Sequence, residues 1–159
     1  INLCLEMLNM DYYDYVFWID SDACFNFKST MTLEKIIENN PNKNIIFSLD
    51  EKGSKNIHNT GIFLLKNNSY SKEFLKHISN NLKYENNYLN YSWEQDSIDT
   101  FYKENILNIK DHSKSIPYGE FQRFPNMHSN KISNELIIHY QKTDKGTRIS
   151  EFNKILKLI

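Results

Sequence analysis

The chain has 159 residues, of which 40% are apolar, 25% charged and 14% aromatic, with a formal charge of -1. That is enough chain for one domain with a real core, and its charge balance argues against nucleic acid held on a basic face. No apolar run approaches the roughly 20 residues that span a bilayer, no signal-peptide pattern opens the chain, and Cys4 and Cys24 are too few for a disulfide scaffold. Both cysteines read as small buried hydrophobes. Asn occurs 22 times and Lys 17 times, while Ala23 and Val16 stand alone of their kind and Arg is confined to Arg123 and Arg148. This bias matches AT-rich codons and carries no functional message.

In chain order, residues 1–10 place Leu3, Met7 and Met10 on one face of a short helix. Tyr15 to Ile19 is an unbroken apolar run that reads as a strand buried on both faces, as in a central parallel strand. Residues 32–38 predict a helix with Thr30 or Thr32 as N-cap, and 44–49 a second buried strand. A polar loop over 50–58 leads into a third strand at 62–65. Ser69 or Ser71 is placed to cap a helix over about 71–83 that buries Phe74, Leu75, Ile78 and Leu82. A further helix over 93–102, a short strand over 106–109, an irregular stretch over 115–130, a late strand over 136–140 and an amphipathic helix over 148–159 complete the pattern. Alternating strands and helices predict an α/β fold with a mixed sheet flanked by helices.

The sharpest feature is Asp20-Ser21-Asp22, directly after the first apolar run. Ligands of α/β sheets bind beyond the carboxyl ends of strands, and paired carboxylates there suit a divalent cation facing a phosphate. His139 at the end of the late strand is a third candidate ligand, and a borderline imidazole beside two acids favours Mn²⁺ over Mg²⁺. Lys142 and Lys145, three and six residues later, are candidates to neutralise diphosphate oxygens, with two solvated lysines as the alternative. Gly61 after Asn59 suits close approach of backbone to a ligand. Glu94, Gln95 and Asp96 open a helix, where acids also favour the dipole.

Several segments together resemble glycosyltransferase family 34, of the GT-A fold. Phe17-Trp18-Ile19-Asp20-Ser21-Asp22-Ala23 is similar to its Trp-x-Asp-Ser-Asp-Ala signature, and residues 59–67 (NTGIFLLKN) to its Asn-x-Gly-x-Phe-Leu segment. Trp93 to Ser97 resembles its Glu-Gln-Asp stretch, Phe124-Pro125 its acceptor-side Phe-Pro, and residues 137–140 its late His-bearing strand. The resemblance implies a metal-dependent, retaining transfer of a hexose or pentose from a UDP- or GDP-linked sugar to a glycan or protein. It implies Asp20, Asp22 and His139 on Mn²⁺, with Mg²⁺ as the alternative, and Lys142 or Lys145 on the diphosphate. Asn59 and Gly61 would line the donor site, Gln95 would lie near the anomeric carbon, and Glu94 or Asp96 would contact the donor sugar or the acceptor. Trp93 and Tyr118 are candidates for stacking on an acceptor glycan. A Golgi or secretory lumen follows if the chain follows the family, and the sequons at Asn67 and Asn90 permit it.

Two departures shape the expectations. Lys142 stands where the family carries a Gly after the late His. Only 19 residues precede Asp20, so the chain, which opens on Ile1, is expected to be the C-terminal two-thirds of a single GT-A-like domain, lacking the first strands of the nucleotide-binding half. Two other readings stay open. One is a haloacid-dehalogenase-like phosphatase with Asp20 as nucleophile, although that family's small residue and Thr after the acids are replaced by Ala23-Cys24-Phe25. The other is a non-catalytic glycan- or partner-binding module on the same fold.

Overall fold

The structure is a computed structural model, and it describes residues 1–80, 93–125, 134–141 and 144–156. The element order is α1 (Asn2–Asn9), β1 (Tyr15–Ile19), β2 (Ala23–Phe25), α2 (Leu33–Glu38), β3 (Ile45–Leu49), β4 (His58–Lys66) and α3 (Ser69–Asn80). Then follow α4 (Trp93–Lys103), a 3₁₀ turn (Ile106–Asn108), α5 (Ile109–His112), β5 (Ser113–Ile116), β6 (Gln122–Arg123), β7 (Ile137–His139) and α6 (Lys145–Leu156). Among these residues, no helix is long and apolar enough to cross a membrane.

Four strands form a mixed sheet in the order β1-β4-β3-β5, with β4 antiparallel to both neighbours and β5 parallel to β3. The runs in β3 and β4 are apolar at successive positions because both faces are covered. Ile45, Phe47, Phe63 and Leu65 pack with Leu8, Phe74, Ile78 and Phe101 from α1, α3 and α4. Ile46, Ile62 and Leu64 face the other way, against Ile36, Phe121 and Ile137. The two-residue period of the strand divides one apolar run between two cores. A second sheet, β2-β7-β6, pairs β2 antiparallel to β7 and β6 parallel to β7.

Several expectations change in the structure. The first apolar run is a strand, but it pairs antiparallel with β4 alone and every residue in it is only half-buried. The doubly covered positions go to β3 and β4, which lie between other strands. In α1 the buried face is Cys4 and Leu8, one residue on from the expected set, leaving Leu3 and Met10 exposed. The predicted strand over 106–109 is a 3₁₀ turn into a helix. Asn105, Leu107 and Asn108 all have φ near +50°, which Asn tolerates and extended backbone excludes. The stretch from 115 holds the end of β5 and all of β6, short strands whose mostly polar sequences carry no alternation. Thr32 does cap α2, accepting from the Lys35 N–H. At α3 the cap is Asn68, whose Oδ1 accepts from the Ser71 N–H at 3.0 Å, rather than Ser69 or Ser71. The last helix starts at Lys145, where Asp144 accepts from the Thr147 N–H at 2.9 Å. Cys4 is buried and Cys24 half-buried, and both are free. Leu82 lies outside the described residues.

Phe47 is fully buried at the centre of the larger sheet, with its ring against those of His58 and Phe74. Phe47→Ala is expected to cost about 3–5 kcal/mol in urea unfolding, the range for emptying a tightly packed aromatic site. A loss under about 1 kcal/mol would contradict this packing.

Candidate active site

Asp20 and Asp22 sit on the turn that carries the chain from one sheet to the other. The Asp20 N–H donates to the Gly61 carbonyl at 2.8 Å, continuing the β1–β4 ladder. Two residues on, the Tyr140 N–H donates to the Asp22 carbonyl at 2.8 Å, beginning the β2–β7 pairing. The same pairing sets Ala23 opposite His139. Residues 117 positions apart thus meet because two short strands are registered by backbone hydrogen bonds at the mouth of the larger sheet.

The side chains converge. One ligand atom from each of Asp20, Asp22 and His139 lies within 4.8 Å of the others. His139 Nε2 is 3.2 Å from Asp22 Oδ1 and 3.8 Å from Asp20 Oδ2. The imidazole is buried, while the acids remain partly open to solvent. Burial holds His139 below the usual imidazole pKa, against the opposing pull of Asp22 and Asp20, so at neutral pH it is the uncharged form that ligates metals. The Trp18 indole N–H donates to Asp20 Oδ1 at 3.1 Å, and Arg148 Nη1 lies 3.1 Å from Asp22 Oδ2. On the far side of the ring, His139 Nδ1 lies 2.8 Å from Gln122 Oε1.

Two carboxylates and one neutral imidazole fit a divalent cation of the Mn²⁺ or Mg²⁺ class. Gly61 lets these side chains come together: a Cβ there would stand 2.5 Å from His139 Cε1, 2.7 Å from Asp20 Oδ2 and 3.1 Å from Asn59 Oδ1. No side chain fits without displacing two of the three candidate ligands.

A second group of residues lines the ends of β3 and β4. The Gly61 N–H donates to Asn59 Oδ1 at 3.1 Å, and Asn59 Nδ2 donates to Gln141 Oε1 at 3.3 Å. The first turn of α4 lies against this strand end. Thr60 Oγ1 donates to Glu94 at 2.9 Å, and Gln95 Nε2 reaches Asp50 Oδ2 at 3.5 Å. Asp96 pairs with Lys55 at 3.4 Å, a contact whose lysine is largely exposed and which contributes little stability. Deeper in α4, the buried carboxylate of Asp99 accepts from the Ile57 N–H at 2.6 Å, the His58 N–H at 3.1 Å and His58 Nδ1 at 2.8 Å. His58 Nε2 continues to the Ser115 hydroxyl at 2.9 Å. This chain of contacts fixes α4, and with it Glu94 and Gln95, against β4.

The structure therefore brings Asp20, Asp22, His139, Gly61 and Asn59 into one cluster, with Glu94 and Gln95 on the adjoining helix. Lys145 is exposed in the first turn of α6, and among the described residues the cation paired with the acids is Arg148, one turn on. Lys142 and the Trp93 side chain lie outside the described residues. The Tyr118 hydroxyl accepts from the Phe124 N–H at 2.9 Å, its ring lies against Phe124, and burial pushes its phenol pKa up. Three site residues have no place in the sequence reading. Asp50 follows the β3 run as Asp20 follows the β1 run, a signal of the same kind. Arg148 is one of only two arginines. Gln122 carries no local signal at all.

Comparison with known proteins gives the family and the fold. The family model for nucleotide-diphospho-sugar transferases matches residues 1–148. A crystal structure of a glycosyltransferase involved in the glycosylation of the major capsid of PBCV-1 superposes with a TM-score of 0.69 at 15% identity. The match covers 96% of this chain and 76% of that one, so the two share a GT-A-like mixed α/β fold. No curated protein matches the chain in sequence.

Gly61→Ala is expected to lower Mn²⁺ affinity by about tenfold or more, because the new methyl displaces Asp20 and His139. Isothermal titration with Mn²⁺ checks this, and unchanged affinity in a folded variant would contradict it.

Proposed function

The chain belongs to the nucleotide-diphospho-sugar transferase family and is a glycosyltransferase, and on that premise we propose a metal-dependent, retaining transfer of a hexose or pentose from a UDP- or GDP-linked donor to a glycan or protein acceptor. The observation that carries the metal dependence is the Asp20–Asp22–His139 cluster around Gly61. In this reading these three side chains hold Mn²⁺, or Mg²⁺ in its place. When bound, the metal supplies a Lewis acid that stabilises charge on the departing diphosphate.

The residues around it divide the remaining work. Trp18 and Arg148 hold the two acids by one hydrogen bond each, leaving their other oxygens directed at the centre. Arg148 is also the described cation nearest the acids, and in this reading it takes the diphosphate contact once a metal takes over the charge of Asp22. Lys142 and Lys145 remain as further diphosphate candidates. Asn59 and Gly61 line the sugar side, where the strand backbone is exposed to close approach. Gln95, steadied by Asp50, faces the reacting carbon, and Asp50 joins Glu94 and Asp96 as an acid near the sugar. Catalysis of this kind is chiefly positioning and electrostatic stabilisation of the leaving group. The phosphatase alternative gives way to the family match, which spans both metal-side acids and the late histidine.

Calorimetry with Mn²⁺ and either UDP or GDP tests the proposal. Wild type is expected to bind one of the two nucleotides only with metal present. Asp22→Ala is expected to lose metal binding by about 10–100-fold, while Arg148→Ala keeps the metal and weakens the nucleotide. Metal-independent nucleotide binding, or binding that survives Asp22→Ala, would contradict it.

A further inference from the structure

We infer that Gln122 is a positioning residue that selects which nitrogen of His139 faces the carboxylates, and so sets the affinity of the centre for its metal. The inference rests on the metal reading above and adds a residue to it. Gln122 is fully buried on β6, which runs parallel to β7 with Gln122 opposite Ile137. That register delivers its amide to the rear of the His139 ring, 2.8 Å from Nδ1.

A neutral imidazole carries one N–H. With the proton on Nδ1, Nε2 turns a lone pair toward Asp22 and Asp20. With the proton on Nε2, the ring is a donor to Asp22 Oδ1, 3.2 Å away, and is no ligand. The partner on Nδ1 decides between the two. A glutamine amide has both an accepting and a donating end. Its carbonyl faces Nδ1, the arrangement that puts the proton there and frees Nε2 for a metal. Its other end, Nε2, is buried and has no hydrogen-bond partner among the described residues. A buried donor without a partner is unfavourable. Methionine would fill the same space without it, so the amide is explained by what it does to His139.

Substitution separates this from a packing role. Gln122→Met keeps the volume and removes the acceptor. Gln122→Glu supplies an acceptor that has no donating end when ionised and holds the proton on Nδ1. Mn²⁺ affinity is read from the loss of the free-ion paramagnetic resonance signal on titration, with thermal unfolding of each protein followed in parallel. The expected result is about 10–100-fold weaker binding in Gln122→Met, and binding at least as tight as wild type in Gln122→Glu. Either variant decides alone if the other fails to fold. Wild-type affinity in a folded Gln122→Met, or binding clearly weaker than wild type in a folded Gln122→Glu, would overturn the inference. A wild-type protein that takes up no Mn²⁺ would instead remove the metal reading on which it stands.

Discussion

Two carboxylates held within a few ångströms of each other, next to a buried ring, repel one another unless something cationic or hydrogen-bonding takes up their charge. The structure around Asp20 and Asp22 is organised by that requirement. Trp18 donates to one acid, Arg148 pairs with the other, and His139 approaches both. None of these comes from the same segment. Trp18 lies at the end of β1, His139 at the end of β7, and Arg148 in α6. The turn that holds the acids is fixed at one end by the Gly61 carbonyl and at the other by the Tyr140 N–H. The larger sheet thus sets where Asp20 stands and the smaller sheet where Asp22 stands. The bareness of Gly61 gives Asp20 and His139 the room to approach each other.

The adjoining residues at the start of α4 depend on a different interaction. Helix α4 would be free to slide along β4 if only apolar contacts joined them. The buried Asp99 carboxylate instead takes three donors from Ile57 and His58, and His58 passes the contact on to Ser115. A buried acid satisfied in this way fixes one register. Glu94 and Gln95, one turn earlier on α4, are aligned with Thr60 and Asp50 by the same constraint. The acid–histidine cluster is therefore built from two short paired strands, and the proposed sugar side from a helix anchored by a buried hydrogen-bond network.

What was legible in the sequence follows from how local each signal is. Asp20 and Asp22 stand out because an apolar strand ends abruptly in acids, and His139 because another strand ends in an imidazole. The meeting of the two depends on β2 and β7, three residues each, whose pairing no periodicity reveals. The run of β1 looks central from its composition, but coverage is a property of neighbouring strands, and β3 and β4 hold the inner places. The 106–109 segment has strand-like residues, and left-handed backbone at Asn105, Leu107 and Asn108 turns it into a helix instead. Asp50 carried the same strand-end signal as Asp20, but the acid beside it is the adjacent Glu51, without the Asp-x-Asp spacing that marks Asp20. Gln122 and Asp99 are polar residues whose roles come from burial alone, and burial is not written in the local pattern.

The central claim is that Asp20, Asp22 and His139 hold one divalent cation beside Gly61. Anomalous diffraction from crystals of the protein soaked in Mn²⁺ tests it most directly. The account predicts a single strong manganese peak bounded by carboxylate oxygens of Asp20 and Asp22 and by Nε2 of His139. A peak bound elsewhere, or a cluster that stays empty at saturating Mn²⁺ while Arg148 keeps its contact with Asp22, would contradict it.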